Sequence, residues 1–145
     1  MTHVVYKDGR EATSITSSEL VQKSTDLWDS VLSQSSSVKG PVFMSCDLES
    51  PLGFASFLAC SAHFKKVFIP GTFNMTQMLK SVPRQHSSMV VCDQDFYSLQ
   101  VPPKKKTEYQ EICSSITNVL IAGGSVGSSD LFPSAKAVAK DKYSF

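Results

Sequence analysis

At 145 residues, 41% of them apolar, the chain has the size and composition of one globular domain with a core of its own, which excludes a disordered polymer. A formal net charge of +1 excludes broad electrostatic attraction to nucleic acid or to anionic lipid. No signal or transit peptide and no run of roughly 20 apolar residues is visible, so the expectation is a soluble intracellular protein of the cytoplasm without a membrane span.

Val4-Val5-Tyr6 reads as a short strand and Lys7-Asp8-Gly9-Arg10 as a polar turn. Thr16 and Glu19 have the spacing of a capping box. Leu20, Val21, Ser24, Leu27, Trp28, Val31 and Leu32 then follow at helical spacing, with Trp28 as the core anchor. Ser33 to Ser37 ends that helix in a polar, flexible loop. Val42-Phe43-Met44 predicts a strand, Asp47 to Pro51 a loop, and Leu52 to Phe64 a nearly all-apolar helix buried on much of its surface. Lys66 to Ile69 reads as a strand stopped by Pro70-Gly71. Asn74 is placed to cap a short helix that packs Met75, Met78, Leu79 and Val82 into the core.

Ser88 to Val91 is a further apolar strand, Asp93 to Leu99 a turn of helix, and Lys104 to Cys113 a modest helix after Pro102-Pro103. The run Lys104-Lys105-Lys106 is most simply a solvated turn. Asn118 to Ala122 predicts a buried strand, followed by a helix from about Ser129 to Lys140 with Pro133 near its first turn. Strands alternating with helices, without tight hairpin signals, predict a single α/β domain over residues 1–145. Its layered, mostly parallel sheet is flanked by helices. Cys46, Cys60, Cys92 and Cys113 are widely spaced and contain no Cys-x-x-Cys pair. They suit buried thiols in a reducing compartment, not a disulfide framework or a zinc site.

Gly123, Gly124 and Ser125 are the candidate binding residues. Three glycines within five positions (123, 124 and 127) let the chain turn sharply after the strand, and Ser128 or Ser129 can cap a following helix. In such a geometry backbone N–H groups can face an anion or a flat polar ligand. The plainer reading is that the glycines only turn a strand into a helix.

The order of these features resembles a family. Val67-Phe-Ile-Pro-Gly-Thr-Phe-Asn74, with Leu79 beyond it, is similar to the strand, turn and helix of the adenylate-forming acyl- and aryl-CoA synthetases, luciferases among them. Ile116-Thr-Asn-Val-Leu-Ile-Ala-Gly-Gly-Ser125 resembles the same family's strand and Gly-Gly-Ala or Gly-Gly-Ser loop. Gln85-His-Ser-Ser-Met-Val-Val91 stands where the family has its Tyr-Lys-Val-Thr strand, Pro102-Pro103 where it has prolines, and Phe54 to Phe64 where a helix follows an aromatic-His motif. The resemblance covers Pro41 to Lys136. At the N-terminus two registers fit: Lys7 to Val21 as the phosphate-binding loop and its following helix, the preferred one, or Ile15-Thr-Ser-Ser-Glu-Leu20 as the family's opening helix.

The resemblance implies ATP, AMP or CoA as ligands, with Gly123-Gly124-Ser125 lying against the acyl group and the adenine through backbone. It also shows departures. The segment Lys7 to Thr13 carries two acids and one glycine where the family has a Ser/Thr/Gly-rich loop with a lysine, and Glu49-Ser50-Pro51 replaces the aromatic-His motif. The Tyr-Gly-x-Thr-Glu motif, the ribose-binding aspartate and the adenylating lysine are missing. Adenylation needs magnesium–ATP held and developing phosphoryl charge neutralised. The expectation is therefore a truncated or degenerate relative that does not ligate on its own and binds acyl or nucleotide groups weakly. The alternative is a non-enzymatic α/β interaction module that self-associates or meets a protein partner.

No catalytic residue and no metal ligand is nominated. His63 ends an apolar helix, where a dipole contact accounts for it, while His86 and His3 lie in polar or terminal segments. Asp93 and Asp95 lack a third metal ligand nearby, and Gly123-Gly-Ser-Val-Gly127 is not the dinucleotide fingerprint.

Overall fold

The computed structural model describes residues 1–7, 10–69 and 75–143. Asp8 and Gly9 of the expected turn lie outside the described residues. So do Pro70 to Asn74, which hold the strand stop and the expected cap.

The chain opens with a hairpin. β1 (Thr2–Lys7) and β2 (Arg10–Thr16) pair antiparallel, from Thr2 opposite Thr16 to Lys7 opposite Arg10. This corrects the expectation of one short strand and no hairpin. Residues 10–16 carry three threonine or isoleucine positions that favour a pleated surface opposite the Val4-Val5-Tyr6 run. α1 (Ser17–Ser30) then starts on Thr16, whose Oγ1 accepts from Glu19 N–H at 3.1 Å and donates to the Glu19 carboxylate at 3.0 Å. The box closes through the two side chains. Leu20 and Leu27 are buried, but Val21 is 58% exposed and leaves the predicted stripe. At 100° per residue, position 21 lies well round from the face shared by 20, 24, 27 and 31. The expected flexible loop at 33–37 begins as an ordered 3-10 turn (Leu32–Ser35) with Leu32 and Ser35 buried.

The body of the domain is a five-stranded parallel sheet. β3 (Val42–Ser45), α2 (Pro51–His63), β4 (Val67–Phe68), α3 (Met75–Ser81), β5 (Ser88–Asp93), α4 (Gln94–Tyr97), α5 (Pro103–Ile112), β6 (Ile116–Ala122) and β7 (Lys136–Lys140) follow in turn. The strands stand in the order β4-β3-β5-β6-β7. Helices cover both faces. On one, Leu20, Leu27, Leu52, Ala55 and Ala59 pack against Val42, Met44, Met89, Val91 and Leu120. On the other, Met78, Tyr97, Leu131 and Phe132 pack against Phe43, Val90, Cys92, Val119 and Ile121. Burial on both sides explains why the strands read as unbroken apolar runs.

Residues 129–140 are not a helix. Ser129 Oγ accepts from the N–H groups of Leu131 and Phe132, both at 3.2 Å, as a helix start would. Pro133 has no N–H to continue the ladder and pushes Phe132 away from helical backbone. Leu131 and Phe132 instead turn into the second core, and Lys136 to Lys140 extend beside β6, from Asn118↔Lys136 to Ala122↔Lys140. Pairing along the open edge of β6 outweighs the helix preference of Ala and Lys.

Candidate functional site

Numbered from β3, the parallel strands run 2-1-3-4-5 across the sheet. Strand addition reverses direction after β4, and the connecting helix changes face with it, as a single hand of crossover requires. The switch falls between β3 and β5. Open α/β sheets bind ligands in the crevice outside the carboxyl ends of strands at such a point.

Four segments meet there: residues 45–53 after β3, Asp93-Gln94 after β5, Gly123-Gly124-Ser125 after β6, and residues 140–143 after β7. Gly123 and Gly124 have φ of 85° and 67°, left-handed values that favour glycine. A Cβ on Gly124 would run into the Gln94 carboxamide, and one on Gly123 would touch the Lys142 stem at 3.5 Å. The bend is therefore where the sequence places it, at the carboxyl end of a buried strand. No helix follows it, since the chain runs as an extended loop to β7.

The hydrogen-bonding groups of this crevice are turned inward. Gly123 N–H donates to the Lys140 carbonyl at 2.6 Å, and Ser125 N–H to Gln94 Oε1 at 2.7 Å. At the start of α2, Ser50 Oγ accepts from Gly53 N–H at 3.1 Å and donates to the Asp47 carbonyl at 2.8 Å. Leu52 N–H, a donor that could have met a bound anion, meets the Lys142 carbonyl at 2.9 Å. Lys142 Nζ lies 2.7 Å from Asp93 Oδ1. Asp93, weighed as a metal ligand, is thus an ion-pair partner. Its hydrogen bond is the main cause that raises the Lys142 ammonium above its ordinary range, against partial desolvation.

Cys46, just past β3, is a free, buried thiol. Burial first, and the Asp93 charge next, push its thiol up to about 12. All four cysteines are free and buried. Among the described residues no group of three or more His, Cys, Asp or Glu side chains could hold a metal. Gln94 and Lys142 carry no sequence signal that marks them for the crevice. Lys142 lies beyond a segment whose composition reads as helix, so nothing local brings it back to β5.

His63 and Trp28 stack with ring centroids 3.5 Å apart and planes 5° from parallel, and Phe64 meets Trp28 edge-on at 5.9 Å. Trp28 is half-buried and packs against the core cluster, where it clasps α1 to the end of α2. The lysine run begins α5, where Lys106 pairs with Asp130 at 3.3 Å.

These features define a doubly wound α/β domain whose switch-point crevice is closed by its own chain. Set against family models, curated proteins and solved structures, the chain matches none of them. Among the described residues no helix is long and apolar enough to cross a membrane.

Proposed function

We propose that the chain is a non-catalytic α/β module of the adenylate-forming type, a weak binder of acyl or nucleotide groups without ligase chemistry of its own. The observation that carries this reading is the Gly123-Gly124 bend at the carboxyl end of β6, in one parallel sheet with residues 67–68 and 88–93. The state of the bend's donors argues against ligation and keeps any binding weak, since Gly123 and Ser125 N–H already serve Lys140 and Gln94 and a ligand must displace them. The N-terminal register in which Ile15 to Leu20 opens a helix suits a chain with a paired strand over 10–16 and a helix from Ser17. The register that needs a phosphate loop in Lys7 to Val21 finds Arg10–Thr16 engaged in the hairpin. Four reduced, buried thiols suit an intracellular setting.

Thermal-shift and calorimetric titration with ATP, AMP, acyl-CoA and fatty acid test the reading, because a ligand selective for the folded state raises stability by mass action. Weak, saturable shifts with one of these and no acyl-adenylate by intact mass are expected. Acyl-adenylate formation would remove the non-catalytic half of the proposal, and no shift with any of them the binding half.

One observation favours a second reading, an interaction module. Phe54, Ile69, Leu99 and Val126, exposed by 37%, 50%, 37% and 51%, all stand in segments that follow the carboxyl ends of β3, β4, β5 and β6. Exposed apolar side chains in these segments suit a protein contact. A concentration-dependent dimer in sedimentation, lost in Val126→Ser, supports this reading; a monomer at every concentration removes self-association.

A further inference from the structure

The opposite end of the sheet differs from the crevice in one respect: two of its charged side chains make no ion pair among the described residues. A cleft of about 520 Å³ opens there between the α3–β5 connection, the end of α5 and the loop before β7. Arg84, Thr107, Glu111, Ile112, Ser115 and Pro133 line it. Its volume lies within the range of small-molecule sites.

The two poles of the cleft are one cation and one anion that do not meet. Among the described residues neither Arg84 nor Glu111 makes an ion pair, although both side chains are exposed in the same cleft. The anionic pole is the Glu111 carboxylate itself, since the carbonyl of Glu111 at the end of α5 is already taken by the Ser114 hydroxyl at 2.7 Å and by the Cys113 N–H. Ser115 adds only wall to the cleft, because its Oγ is shielded from solvent. Ile112 and Pro133 add apolar surface between the poles.

A simple anion would find Arg84 but also Glu111, and a simple cation would meet the converse. Only a ligand that carries both charges gains at both residues. We propose that this cleft binds a small zwitterion of the amino-acid kind, with its carboxylate on the Arg84 guanidinium, its ammonium at the Glu111 carboxylate, and an aliphatic side chain over Ile112 and Pro133. This site is separate from the carboxyl-end crevice and does not depend on how that crevice is read.

L-leucine is the probe, with 4-methylpentanoate and 3-methylbutylamine as controls that each carry one pole. Titration into isotopically labelled protein, followed through backbone amide shifts, reports both affinity and place. Saturable shifts at Glu111, Ser114 and Ser115 with leucine, and affinities about tenfold weaker for either control, are expected from the loss of one charge-assisted contact. Arg84→Met should weaken leucine by about the same factor, and Glu111→Gln should bring leucine down to the level of 4-methylpentanoate. Both side chains are exposed, so an unchanged melting temperature verifies that the variants fold. Absence of saturable shifts at tens of millimolar leucine, equal affinity for the three probes, or shifts that map elsewhere would overturn the proposal.

Discussion

Lys142 joins three elements with one side chain and one carbonyl. Its ammonium meets Asp93 at the end of β5, its stem lies over Gly123, and its carbonyl takes the Leu52 N–H of α2. The side-chain part is separable by substitution, the carbonyl part is not. Lys142→Met should lower unfolding free energy by about 1 kcal/mol, the scale of a partly exposed pair. Asp93→Asn should cost a similar amount, and the double variant little more than either, as a coupled pair requires. Denaturant titration of the four proteins checks this. The folded ammonium titrates above its ordinary value, so this contribution is complete below that value and is lost as pH rises through the folded one. Trp28 offers an independent probe, since it is the chain's one tryptophan and carries His63 on its face. His63→Leu should loosen the α1–α2 clasp by about 0.5–1 kcal/mol. It should also change the tryptophan emission, because the indole loses its stacked imidazole. Identical emission in the two proteins would show that the stack is not kept in solution.

At the level of elements, α2 decides how tightly the crevice is closed. Its first turn is pressed against the loop from β3, so that a Cβ on Gly53 would collide with the Asp47 carbonyl and lie 2.9 Å from Ser50 Oγ. Gly→Ala inside a helix ordinarily stabilises by about 1 kcal/mol. Gly53→Ala should reverse that sign and destabilise by about 1–3 kcal/mol, because backbone and a capping hydroxyl must move. A raised melting temperature in this variant would mean that the contact relaxes freely.

Elements that declare themselves by burial were legible in the sequence. β3, β5 and β6 are apolar runs, α2 is nearly all apolar, and the Thr16 cap is a local pattern. Those defined by a partner were not. β2 reads as a polar stretch until it is set against β1, and β7 reads as helix because the open edge of β6 is invisible to a local window. The candidate site divides the same way. The Gly123-Gly124 turn was readable from glycine, whereas the engagement of its donors by Gln94 and Lys140 depends on long-range packing.

For the molecule as a whole, the four buried thiols hold a large reserve of pH sensitivity. Burial is the leading cause in every case: Cys46, Cys60 and Cys113 are pushed up to about 12, and Cys92 is raised further in the same direction. Unfolding returns each to an ordinary value of 9.0. Above that value the unfolded chain releases protons that the folded chain retains, so stability falls with pH. Below it the two states hold the same number of thiol protons and the dependence vanishes. Each thiol contributes a slope of about 1.4 kcal/mol per pH unit, or about 5 kcal/mol per unit for four together, against a total stability of about 5–15 kcal/mol for a domain. Lys142 acts in the same direction on its own range. The domain should therefore unfold over a narrow alkaline interval above pH 9.0, at a temperature where it is stable at neutrality. Urea midpoints measured across that interval should fall steeply, and Cys60→Ala should flatten the fall by about a quarter while lowering the neutral-pH midpoint through the cavity it leaves. Thiol reagents supply the complementary measurement: the native protein should resist labelling, and all four sulfurs should become reactive together as the sheet opens. Alkaline midpoints that track the neutral value, or a cysteine labelled in the native state, would show that the two cores admit solvent where the packing excludes it.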